Sequence, residues 1–181
     1  MLAVGCRTPD VPLPEEAILS EKKGGEQPVT RSIRSAGGSL DGFSDDGKRT
    51  KVWSMSWGSA TLEYTSDQQF GGVMQDVKGT LFQNGVEAST FEAAEARADK
   101  GTSILRLLGG VVVTAVRKVE GVGPGTLRCS EMTYDGVKGV IDAKGGIQVK
   151  DGNFFVRGTQ HVVANANLTQ FATPDMFEAT P

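Results

Sequence analysis

Two cysteines, one histidine and two tryptophans are all that 181 residues contain of those types, and each scarcity removes a class of protein. Cys6 and Cys129 are too few for a disulfide framework. A Ser-His-Asp or Cys-His device would have to use His161, whose neighbours Gln160 and Val162 place it on a strand surface instead. The net charge of −3 and pI near 5.3 give nucleic-acid binding no electrostatic basis. No apolar run approaches the roughly 20 residues that cross a bilayer. The Gly-Gly pairs at 109 and 145 are not followed by a helix whose N-terminus could hold phosphate.

What the chain has is glycine, 24 residues of it, and a unit written more than once. Shifting Phe91–Thr114 by 36 positions lands on Leu127–Lys150. Glu95 then meets Glu131, Asp99 meets Asp135, Gly109-Gly110 meets Gly145-Gly146, and Val113 meets Val149. Apolar character is kept at Phe91/Leu127, Ile104/Val140, Leu105/Ile141 and Val111/Ile147. The same shift backwards aligns Met55, Trp57, Ala60 and Leu62 with the first half of the unit. A shift forwards reaches a weaker fourth copy at Val163 and Leu168. Units repeated in this way bury their apolar faces by stacking on one another.

The unit is β. Ile141, Ala143, Gly145, Ile147 and Val149 alternate with Asp142, Lys144, Gly146, Gln148 and Lys150, a period of two with one dry face. Leu105 to Ala115 repeats the pattern. In the first half of each copy the phase slips: Leu127 and Cys129 give way to Met132 and Tyr134, Phe91 and Ala93 to Ala96 and Ala98, Met55 and Trp57 to Ala60 and Leu62. An extra residue at the same place in every copy is the mark of a bulge or corner. Asn84-Gly85 signals a hairpin, and GVGPG (121–125) and Asp151-Gly152 signal further turns, the last followed by the final strands in NFFVRGTQ and VVANANL.

Four regions follow. Residues 1–6, MLAVGC, resemble the end of a bacterial lipobox, which makes Cys6 the candidate lipidation site and a lipid anchor the expected hold on a membrane. Residues 7–51, rich in Pro, Gly, Ser and both charges, are expected to be a disordered tether, with a short strand around Val29 to Ile33 as its one structured exception. Residues 52–171 are expected to form one β domain, and residues 172–181 a flexible tail. Within the domain, Trp53 and Trp57 read as core or end-cap aromatics and Cys129 as a small buried hydrophobe. Glu95 and Glu131 share a register that the repeat accounts for without acid–base chemistry, and no cation-ligand cluster accompanies them. Lys48, Arg49 and Lys51 form a small basic cluster that reads as solvated surface. No cofactor, metal site or catalytic residue is expected.

The succession of a short strand (LRCSEMTYD), a turn and a strand with central glycines (VIDAKGGIQV), echoed by AEARAD and LRLLGGVVVT, resembles the OstA-like domain of the lipopolysaccharide-export proteins LptC and LptA. The resemblance implies a twisted, half-open β-jellyroll that shelters lipid acyl chains between its sheets. It implies lipopolysaccharide or a related glycolipid as ligand, a periplasmic location, and other Lpt-type proteins as partners through edge strands. Carried over residue by residue, it implies an acyl-chain interior lined by Phe91, Leu105, Leu107, Val111, Val113, Leu127, Met132, Tyr134, Ile141, Ile147 and Val149. Two other readings of the residues stand beside it: a structural solenoid or adhesin-type domain with a closed dry core, and an enzyme on a β-roll.

Overall fold

The computed structural model describes residues 31–44, 47–64, 70–98, 103–116, 124–152 and 154–174. Every element assigned among them is a strand: β1 (Arg31–Ser35), β2 (Gly38–Phe43), β3 (Lys51–Trp57), β4 (Ser59–Tyr64), β5 (Phe70–Gln83), β6 (Val86–Ala98) and β7 (Ile104–Ala115). After these come β8 (Thr126–Asp135), β9 (Val140–Lys144), β10 (Gln148–Asp151), β11 (Phe154–Arg157), β12 (His161–Asn165) and β13 (Phe171–Ala172). All pairings are antiparallel within one 13-stranded sheet that is not closed into a barrel, as a half-open β-jellyroll requires.

Four long strands make the sheet two-layered. The second half of β5 pairs with β3 and its first half with β4. The first half of β8 pairs with β10 and its second half with β9. Each long strand therefore crosses from one layer into the other. The first layer runs β2-β3-β5-β6-β7-β8-β10-β11, and the second runs β1-β4-β5-β6-β7-β8-β9-β12-β13. Between the halves lies a corner. Registers slip between Glu92 and Glu95 and between Leu108 and Val111, and the Ser130 amide donates to Gly145 O at 2.8 Å. The expected phase slips at 57–60, 93–96 and 129–132 fall on this line.

Gly109, Gly110, Gly145 and Gly146 turn the corner with φ between +63° and +79°. This is the left-handed region where a Cβ is costly. Side chains on either side of the corner then point into one interior, because the slip restores the inward phase that a straight strand would keep on one flat face. Outside, Ser54, Thr80, Thr90, Thr114 and Thr126 stand directly opposite one another across five strands of the first layer. These β-branched and hydroxyl side chains suit a solvated pleat.

At the β2 end the sheet is sealed by aromatic rings over glycine. Gly42 stands opposite Trp53 and Gly38 opposite Trp57. A methyl group on Gly42 would collide with the Trp53 indole. Trp53 is 2% exposed, which makes it the core aromatic expected, while Trp57 is only partly buried against the same core.

Three expectations are corrected. Residues 31–43, placed in the tether apart from the short strand around Val29 to Ile33, form β1, which overlaps that strand, and β2, and add edge strands to β4 and β3. Their Gly- and Ser-rich composition hid the rest, since the neighbouring tryptophans and leucines supply most of the apolar contact. Ala172, placed in the tail, pairs with Val163. Val163 does not take the inward position of a fourth copy, because β12 keeps one phase throughout: Val162, Ala164, Ala166 and Leu168 are buried. Cys6 and the rest of residues 1–30 lie outside the described residues, as do residues 175–181.

Candidate functional site: the interior between the two layers

Period-two strands folded at a corner send one face of each half into a shared space, and all eleven residues expected there arrive. Phe91, Leu105, Leu107, Val111, Val113, Leu127, Met132, Tyr134, Ile141, Ile147 and Val149 are each no more than 1% exposed. The registers set them in rows across the strands. Phe91 faces Val113, and Val113 faces Leu127, which faces Val149 in the first layer. Leu105 faces Tyr134, and Tyr134 faces Ile141 in the second. Leu107 and Met132 pair next to the corner.

The same interior takes in Trp53 and Met55 of β3 and Leu168, which the repeat or the core reading had marked, and residues not singled out beforehand: Met74, Val77 and Leu81 of β5, and Val162 and Ala164 near the other end. A signal for β5 was present in the sequence. Its inward positions run Met74, then Val77, Gly79 and Leu81, the same phase slip, with Asp76 at the bend in a left-handed conformation (φ 53°).

The interior is almost wholly apolar, and a hydrogen bond crosses it. The Tyr134 hydroxyl of the second layer donates to Phe82 O of the first at 2.6 Å. Burial, helped by the adjacent Asp135 carboxylate, pushes the Tyr134 phenol above its ordinary range. Burial likewise pushes the Cys129 thiol up to about 12, so at neutral pH it is a protonated, inert core group.

The polar candidates lie outside this space and are not brought together. His161 sits on the outer face of β12 with Nε2 3.2 Å from Asp142 Oδ1. Glu95 and Glu131 flank Leu108 on either side, one strand apart from each other. Two carboxylates separated by a whole strand do not share a proton or a water. Lys51 is paired with Asp41 at 2.8 Å, and its ammonium also lies 5.7 Å from the Phe82 ring centre. Among the described residues no group of three His, Cys, Asp or Glu side chains could hold a metal ion. Against known proteins, no family model matches the chain and no curated protein matches it.

Proposed function

We propose that the chain is a periplasmic, membrane-tethered protein of the LptC/LptA kind that shelters the acyl chains of lipopolysaccharide, or a related glycolipid, between its two layers and passes them on through end-to-end contacts between domains. The observation that carries this reading is the shape of the interior. An apolar core runs unbroken from β3 to β12, inside a sheet whose end strands β1, β2, β11 and β13 each pair, among the described residues, on one side only. An apolar lining takes acyl chains in place of its own side-chain contacts, since both are hydrocarbon and the exchange conserves buried area. Free edges offer backbone N–H and C=O groups to a neighbouring domain. Cys6 would carry the anchor.

A structural domain with a dry core is the second reading, favoured by how completely the interior side chains bury one another. The two are separated by purifying the full chain from lipopolysaccharide-bearing cells and recording its native mass spectrum. Sheltered lipid gives adducts of glycolipid mass that persist in mild detergent. A spectrum with the bare mass alone, unchanged after incubation with lipopolysaccharide, would overturn the transport reading in favour of the structural one.

A further inference from the structure

β5, β6, β7 and β8 run unbroken through the corner, so the two layers are covalently joined there and can part only on the opposite side. Among the described residues, the strand ends of the layers meet on that side at two places. The first is the turn between β8 and β9. The Tyr134 hydroxyl donates to Phe82 O at 2.6 Å. A methyl group on Gly136 would lie 2.5 Å from Val52 Cβ, and one on Gly139 would lie 3.3 Å from Gln83 Nε2. Backbone of the second layer thus lies flush on β3 and on the β5–β6 hairpin of the first.

The second place is the turn between β12 and β13. Leu168, fully buried, reaches the first layer at Gly125, where a methyl group would lie 3.7 Å from Leu168 Cβ. Leu168 has φ +52°, a left-handed conformation that a bulky residue adopts only when its surroundings impose it. Asn165 imposes it. Its carbonyl accepts from Leu168 N at 3.0 Å, and its side-chain Oδ1 accepts from Thr169 N at 2.8 Å and Gln170 N at 3.1 Å. The Ala166 amide donates to Gly139 O at 3.0 Å and ties the two turns to each other.

Among the described residues no backbone hydrogen bond crosses the rim at either place. Parting the layers there breaks the Tyr134–Phe82 hydrogen bond, draws Leu168 away from Gly125 and lifts Gly136 and Gly139 off Val52 and Gln83, with every strand pairing kept. We propose that this rim is the entry for acyl chains, with Tyr134 and Leu168 as its two latches and the glycine corner as its hinge. The inference rests on the lipid-sheltering reading and names its gate.

A disulfide tests it. Gly125→Cys with Leu168→Cys, in a full-length chain carrying Cys6→Ser and Cys129→Ala, sets two Cβ atoms near the mean disulfide separation of about 3.8 Å. Uptake of a pyrene-labelled fatty acid is followed by fluorescence. The oxidised protein is expected to take up none, and dithiothreitol to restore the rate. Independently, Tyr134→Phe keeps the ring and removes the latch bond, so uptake should quicken about fivefold, the factor for roughly one net hydrogen bond. Equal uptake by oxidised and reduced protein, or an unchanged rate in Tyr134→Phe with a cooperative melt, overturns the gate and leaves the lipid reading standing. Wild-type protein that takes up no fatty acid overturns both. If the cysteine pair does not fold, the Tyr134→Phe rate decides alone.

Discussion

Tyr134 and Cys129 are acids held protonated by burial, and both make stability depend on alkaline pH. Cys129 is raised from 9.0 to about 12 and Tyr134 from 10.0 to a higher value. The unfolded chain therefore loses these protons first, so the stability they confer is complete below pH 9 and is lost as pH climbs through 9 to 12. The expected slope is about 1.4 kcal/mol per pH unit for each group that remains protonated only in the folded state. Urea unfolding at stepped pH should show Cys129→Ala losing the part of the decline that begins near pH 9, and an identical pH profile in that variant would refute the assignment. Glycine makes the second residue-scale prediction. Gly110→Ala meets nothing within 4 Å and loses only the left-handed strain, about 1–2 kcal/mol. Gly109→Ala adds a methyl 2.8 Å from Ala94 Cβ and should lose about 1–3 kcal/mol more by overpacking. Equal urea midpoints for the two variants would show that the corner does not press against Ala94.

The elements that pair on one side only, among the described residues, are the edge strands. β11 ends the first layer with Phe154 and Phe155 each 55% exposed, and β2 ends it on the other side with its outer backbone unpaired in the sheet. Adjacent strand residues point to opposite faces, so the two rings flank the edge above and below, as a docking strand would need. Cysteines at Ser39 in β2 and Phe155 in β11, on separate copies, are expected to cross-link head to tail into a ladder of oligomers under oxidation. Strictly monomeric protein at every concentration would contradict end-to-end transfer. These edges were only half legible in the sequence. β11 followed the Asp151-Gly152 turn as expected. β1, which overlaps the strand expected around Val29 to Ile33, pairs with β4, whereas β2 is glycine-rich and apolar at few positions, and the tryptophan rings of β3 that cover its Gly38 and Gly42 are reported by no local pattern in 38–43. Leu168 was marked by the fourth copy and is buried, but its turn escaped. Its left-handed backbone is set by Asn165 through a turn, a tertiary detail without periodicity.

At the scale of the whole molecule, the eleven interior positions were legible because two signals agreed: period two fixed which face was dry, and the phase slip at a constant 36-residue spacing fixed where that face turned a corner. What no pattern reported is that the rim opposite the corner is latched, because Tyr134, Gly136, Gly139 and Leu168 meet residues from distant strands. The same latching makes the account exposed to one measurement. Lipopolysaccharide bearing a photoreactive diazirine in an acyl chain, irradiated with the full-length protein and digested, reports by mass spectrometry which side chains the hydrocarbon touches. Adducts on peptides that hold Leu105, Leu107, Met132, Tyr134 and Ile141 are the predicted result. Adducts confined to exposed residues such as Val86, Phe154 and Phe155, or no adducts, would contradict an interior that shelters lipid.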